Sequence, residues 1–355
     1  MNWVARLAMG ILAVGCTAAA ADHHAPGLFD SNDLLTVTLT GPFKDVVRDR
    51  DPEPLEHDMT LTVGGHELAV KVRPRGNFRR CGAGGVAHCK PEICKFPPIK
   101  LNFKKKAVAG TPFAGEDKLK LVTHCQDRDS YEQNVFKEYL AYRVLNLFTD
   151  ESFRVRLMHI AYEDTAGKVS TTRYAFVLED SKAMAKRVGA KYVKPEEVER
   201  GQLAQPAATR VAMFQYFISN TDYSLIRGRA GDTCCHNVKL IQREPDVFIP
   251  VPYDYDMSGI VSTSYSYPDG GLAQKHRLSS VRDRLYRGFC TDRGTLDSVL
   301  GEFQEKREAI YALINETGLM SSSSVSRTTK FFDGFYKMLD KDSRVERAFV
   351  KGCRG

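Results

Sequence analysis

No two of the nine cysteines are spaced as Cys-x-x-Cys, and the gaps between them are irregular. That argues against a zinc ribbon or finger, whose ligands come in close pairs. After the N-terminal segment no stretch approaches the roughly 20 apolar residues of a membrane helix. No internal repeat is visible. Charge of one sign is also in short supply: the net charge is +7 over 355 residues. Such an excess favours anionic partners such as phosphates, acidic proteins or membrane surfaces, but is too small to argue for nucleic acid. The run Lys104 to Lys106 has no interleaved aromatics on which single-stranded bases would stack, so no nucleic-acid partner is expected.

What is present begins with an export signal. Arg6 precedes an apolar stretch, Leu7 to Val14, followed by small residues, and residues 1–21 read as a signal peptide. Two cleavage readings stand. Gly15-Cys16 resembles a bacterial lipoprotein signal, which would anchor the chain to a membrane through lipid on Cys16. The alanines that follow permit ordinary cleavage. Either way the protein is expected to be exported, to the periplasm, the envelope or the cell surface. Setting Cys16 aside leaves an even set: Cys81, Cys89, Cys94, Cys125, Cys234, Cys235, Cys290 and Cys353. In an exported chain such a set implies disulfides.

Hydrophobic periodicity divides the remainder near Glu179. Residues 28–179 are strand-rich. Runs 34–41, 97–104 and 118–124 alternate apolar and polar residues, and 59–76 and 154–180 read as hairpins. One helix, Ser130 to Phe148, interrupts them. Residues 180–355 read as mostly helical, with helices expected over 181–189, 206–219, 278–289, 295–318 and 328–340. Two short strands, 237–241 and 248–252, lie between them, and Ser321 to Ser326 reads as a flexible connector.

The sharpest chemical signal follows the apolar helix ending at Ser219. Asp222 enters a polar loop, Asn237 opens a strand, and a second strand leads into Tyr253-Asp254-Tyr255-Asp256 and Gly259. An Asp, an Asn and a further Asp on a loop, a strand and a turn suit metal-assisted phosphoryl transfer. One carboxylate positions or deprotonates the acceptor hydroxyl, while an Asn oxygen and another carboxylate hold Mg²⁺. Each residue also has a plainer reading as a turn former. From the first half, Lys100 on the polar face of its strand and Arg75 beside Gly76 are candidate phosphate partners. Glu138, in mid-helix, is placed to pair with a cleft lysine.

The stretch VRPRGNFRR…KFPPIKLNF, the helix QNVFKEYLAYRVLNLF, the strand RYAFVLED and the series NTDYS…HNVKLI…VPYDYDMSG resemble CotH-type spore-coat kinases. The Asp…Asn…Tyr-Asp pattern is also similar to HipA-type kinases. The resemblance spans about Val72 to Gly259. It implies an α+β, bilobal protein-kinase-like fold, with a strand-rich N-terminal lobe holding one helix and a mostly helical C-terminal lobe. It also implies ATP with Mg²⁺ or Mn²⁺, and transfer of phosphate to Ser/Thr hydroxyls of a protein substrate. By position Asp222 would be the catalytic acid, and Asn237 and Asp254 metal ligands, with Asp256 a further ligand or their support. Lys100, or else Lys95, would bind phosphate with Arg75 nearby, and the peptide Leu178 to Asp180, centred on Glu179, would meet adenine. The chain departs from the pattern in two Cys-bearing insertions, between Arg80 and Lys95 and between Asp222 and Asn237. Other readings of the same residues are a non-catalytic envelope or surface binding protein, a protein AMP transferase, and an Asp-x-Asp glycosyltransferase.

Overall fold

The computed structural model describes residues 27–82, 93–229 and 232–355. The signal segment with Cys16, and most of the first Cys-bearing insertion including Cys89, lie outside the described residues.

Seven strands close into a barrel: β1 (Leu35–Gly41), β2 (His57–Val63), β3 (His66–Pro74), β4 (Ile99–Phe103), β5 (Lys118–Val122), β6 (Val155–Asp164) and β7 (Ser170–Leu178). Alternation decides which side chains enter it. In β4 Ile99, Leu101 and Phe103 are buried while Lys100 and Asn102 face outward. The β2–β3 turn uses Gly64 and Gly65 at φ +53° and +81°, conformations that strain any side chain with a Cβ. Closure comes from β1 lying parallel to β6, with Leu35 opposite Met158 and Gly41 opposite Asp164. A closed barrel has no free edge to template aggregation. Its interior packs Val37, Leu61, Val70, Leu101, Leu121 and Ile160 with their neighbours.

Three helices belong to this half of the chain: α1 (Phe43–Arg48), α2 (Asn77–Cys81) and α3 (Asp129–Asn146). After Glu179 come α4 (Ser181–Arg187), β8 (Lys191–Val193), α5 (Gln205–Phe217), β9 (Val238–Gln242), β10 (Phe248–Pro252) and α6 (Gly270–His276). The chain ends with α7 (Arg293–Glu305), α8 (Arg307–Asn315), α9 (Ser322–Leu339) and α10 (Asp342–Val345). Strands β8, β9 and β10 form a separate antiparallel sheet.

The expected bilobal kinase-like fold with one helix in its N-terminal lobe is therefore corrected. The described residues form a closed seven-stranded barrel, a further three-stranded sheet and ten helices, three of them before Glu179. The largest core also crosses that position, joining Leu140, Val144 and Phe176 to Phe214, Phe217, Phe303 and Phe332.

Three local expectations change as well. Residues 278–289 hold no helix, because Arg284 and Arg287 turn inward to backbone carbonyls of the preceding elements. The helix expected over 295–318 breaks at Lys306 into α7 and α8. Ser321 to Ser326 is no connector: Ser321 caps α9, its hydroxyl accepting from Ser324 N, and the following serines form the first turn.

Three disulfides lie wholly among the described residues, Cys94–Cys125, Cys234–Cys235 and Cys290–Cys353. They suggest an exported protein. Among the described residues no helix is long and apolar enough to cross a membrane.

Candidate active site

Helix α5 is buried on nearly every side and ends at Phe217, with Ile218 as its C-cap. The next residues turn sharply. Asp222 N donates to Asn220 Oδ1 at 3.0 Å, an Asx turn, and Arg287 donates to the carbonyls of Thr221 and Tyr223 on either side of it. The loop also rests on the DYD turn, with Gly259 N bonded to Ser219 O at 2.8 Å. A Cβ on Gly259 would lie 2.5 Å from Val281 O, so only glycine fits this approach.

Asp222 and Asn237 meet directly. Asn237 Nδ2 donates to Asp222 Oδ2 at 3.0 Å and to the Asp222 carbonyl at 2.8 Å. His236 Nε2 lies 2.7 Å from Asp222 Oδ1, and Arg229 donates to the same oxygen at 3.3 Å. Burial by itself raises the Asp222 pKa, but the His236 hydrogen bond and charge, joined by Arg229, outweigh it and hold the carboxyl below its ordinary range. Asp222 is thus an ionised group near neutral pH.

Asp254 and Asp256 flank Tyr255, whose ring is fully buried. Tyr142 on α3 fixes the turn by accepting from Asp254 N at 2.8 Å. Both Asn237 and Asp254 adopt left-handed backbone, φ +51° and +66°. Asn and Asp tolerate that region better than other non-glycine residues, and such outliers gather at functional sites.

A guanidinium the sequence reading passed over, Arg79 of α2, organises the acids. Its Nε donates to Asp256 Oδ2 at 2.7 Å, and its Nη2 reaches Glu138 at 3.4 Å and Asp254 at 3.5 Å. One guanidinium facing three carboxylates leaves an excess of negative charge. Burial pushes the Glu138 pKa up, Arg79 pulls it down, and Asp256 and Asp254 push it up again, with the result well above the ordinary carboxyl range. Glu138 therefore pairs with Arg79 and not with a cleft lysine. Asp256 is buried and also accepts from Tyr265 at 3.1 Å, so it supports Arg79 and does not stand open as a metal ligand. The Asp-x-Asp pair accordingly presents one partly exposed carboxylate, Asp254, which Arg79 approaches from one side.

Of the expected phosphate partners, Arg75 lines the same cavity, and its Nε is buried without a hydrogen-bond partner. A Cβ on Gly76 would meet open space on that side. Lys100 does not line the cavity. It lies on the barrel wall between Arg73 and Lys120, its pKa lowered by burial and then by the charges of Arg73 and Lys118. Lys95 is exposed beside Cys94. Glu179 is held by Arg187 at 2.9 Å through both oxygens, and its N–H bonds Arg154 O, so neither side chain nor amide is free.

Lys120, directly opposite Lys100 on β5, lines neither chamber of the site but lies near enough to feel the charges of Arg75, Lys239 and Asp254. Burial, then Arg75 and Lys239, lower its pKa to about 8, while Asp254 and Asp180 oppose the shift. Its ammonium lies 4.8 Å from the Tyr253 ring centroid, as does that of Lys239 on β9. The alternation of KLKLV already placed Lys120 on the same barrel face as Lys100.

The site consists of two adjoining chambers. The first, about 580 Å³, contains Arg75, Arg79, Asp222, Arg229, His236, Asn237, Asp254 and Asp256. The second, about 250 Å³, shares His236 and Asn237 and adds Tyr192, Lys194, Lys239 and Tyr253. The vicinal cystine Cys234–Cys235 forms part of its wall. Among the described residues no three His, Cys, Asp or Glu side chains gather as a metal-binding group. No family model matches the chain, and no curated protein matches it.

Proposed function

We propose that this exported chain is a divalent-cation-dependent phosphotransferase. It moves a phosphoryl group from a phosphoanhydride donor, ATP by the CotH resemblance, to a Ser or Thr hydroxyl of a protein. The envelope, with or without a lipid on Cys16, is the compartment proposed for it. The observation that carries the reading is the sorting of charge along one cavity. Asp222 and Asn237 stand together, the partly exposed Asp254 lines the same cavity, and Arg75, which forms no ion pair among the described residues, lines it too; Lys120, outside the lining, also feels the Asp254 charge.

The oxygens left over for Mg²⁺ or Mn²⁺ are Asn237 Oδ1 and the Asp254 carboxylate. Mg²⁺ commonly takes one or two protein ligands and completes its octahedron with water and phosphate oxygens. The local excess of carboxylate around Arg79 suits a bound cation. Such an ion would neutralise charge on the phosphate oxygens. Arg75 and Lys120 do the same for the leaving side of the donor. Asp222, kept ionised, orients the acceptor hydroxyl and takes its proton. In a loose phosphoryl-transfer transition state the orientation matters more than basicity. Arg79 holds Asp254 and Asp256 in register with α3 through Glu138.

The test is phosphate incorporation into the protein itself or a generic protein acceptor, with Mg²⁺ and either ATP or tripolyphosphate as donor. Asp222→Asn and Asp254→Asn should each lower the rate at least ~100-fold, as loss of a catalytic or metal-binding carboxylate does. Their melting temperatures should stay near wild type. Mass spectrometry of the product separates phosphate from AMP. Unchanged turnover in both variants refutes the assignment.

A further inference from the structure

We propose that the second chamber is an anion-binding subsite for phosphate groups beyond the one transferred, so that a linear polyphosphate chain, and not a purine, fills it. The inference rests on the phosphoryl-transfer reading of the first chamber.

Two lysines, Lys194 and Lys239, line this chamber, and a third, Lys120, stands outside its lining on the ring of Tyr253. Lys239 comes from β9 and Lys120 from barrel strand β5, one ring of Tyr253 lying 4.8 Å from each. Lys194, just past β8, lies 5.7 Å from the Tyr192 centroid on the chamber wall. Among the described residues none of the three has a carboxylate within 4.0 Å. Of the acids that act on Lys120, Asp254 belongs to the cation site and Asp180 to the N-cap of α4. Asp232, on the rim, is exposed.

Lys239 is half-buried on β9, its neighbours Val238 and Leu240 alternating to the buried face of the strand, and the surface of the chamber itself is mostly polar. Like charges held close together repel one another, and the half-buried Lys239 has lost part of its hydration. A ligand that brings negative charge relieves both penalties. A purine brings none and would desolvate the lysines further. The two aromatic rings are already engaged from their faces by ammonium groups, which leaves less ring face for a base to stack on. The chambers share His236 and Asn237, so a chain with its end phosphate beside Asp254 runs on into the lysine-lined space.

The oxidised full chain with Mg²⁺ is titrated calorimetrically with pyrophosphate, tripolyphosphate, ATP and adenosine. Tripolyphosphate should bind about 10-fold or more tightly than pyrophosphate, the scale of one added charge-assisted contact set. Adenosine should give no signal. Lys194→Gln with Lys239→Gln should remove the chain-length preference, and Lys239→Arg should retain it, which separates charge loss from misfolding. Adenosine binding, or a tripolyphosphate affinity within 2-fold of wild type in the double Gln variant, overturns the inference. Pyrophosphate binding with no preference for longer chains overturns it as well and leaves the first-chamber reading standing. No binding by any of the phosphate compounds sinks both.

Discussion

Acid should weaken this fold through one imidazole. His124 follows β5 and is 1% exposed, with both ring nitrogens buried and without hydrogen-bond partners. Its ring lies 4.6 Å from that of Phe96 and 5.8 Å from that of Tyr162. Burial lowers its pKa from the ordinary 6.5 to about 4; Asp127 opposes the shift and Arg173 adds to it. The folded state therefore keeps the ring neutral between these values while the unfolded chain protonates it. The unfolded state binds more protons, so stability falls as pH falls from 6.5 to 4. The displacement corresponds to about 3 kcal/mol, a large share of a typical folding free energy. Glu138, on the same small internal cavity, works the other way. Its raised pKa gives stability that is present at low pH and lost as pH rises above the ordinary carboxyl value. The total pH profile mixes the two, so the difference between variants is the informative quantity. Urea unfolding of oxidised wild type and His124→Leu would be compared at intervals from pH 7.5 to 4, with Glu138→Gln as background to remove the opposing group. The stability difference between His124→Leu and wild type should grow in the variant's favour by about 3 kcal/mol across that range. A flat difference curve, or one of opposite slope, refutes the buried neutral imidazole.

Two further outcomes follow from the site and the staples. Lys120→Met should weaken binding of the phosphoanhydride donor about 10- to 100-fold, whereas Lys100→Met should change it less than about 3-fold; calorimetry reads both, and equal losses would put the cation on the wrong strand. Opening Cys290–Cys353 with paired serines releases a loop of 63 residues. That should lower the unfolding free energy by about 4 kcal/mol on the chain-entropy account, measured by denaturant titration, and a loss under about 1 kcal/mol would contradict it.

Much of the site was legible because its residues sit at the ends of elements that periodicity reveals. Asp222 follows an apolar helix and Asp254 an apolar strand, so their exposure at a turn could be read locally. Arg75 was legible through the adjacent glycine. Lys120 was passed over for a particular reason: it and Lys100 stand opposite each other on one barrel face, and only the approach of Tyr253 from the other half of the chain tells them apart. Arg79 and His236 were hidden by their neighbours, one inside an Arg-Arg pair and the other inside a Cys-Cys-His run. Barrel closure was illegible because β1 pairs with β6 across more than a hundred residues, and nothing in either strand's alternation names its partner. Helices α1 and α2 have six and five residues, too short for a helical period to show. The absence of helix at 278–289 depends on Arg284 and Arg287 finding carbonyls elsewhere in the fold, which is a tertiary decision.

The bond between Arg79 and Asp256 joins residues 177 positions apart, and Arg79 also reaches Glu138 on α3. Three distant segments must therefore converge before Asp254 acquires its setting. No contiguous fragment carries the constellation, and a chain threaded through a membrane in extended form carries none of it. The constellation is complete only when barrel and helices have docked, so its assembly marks the end of folding and not an earlier stage.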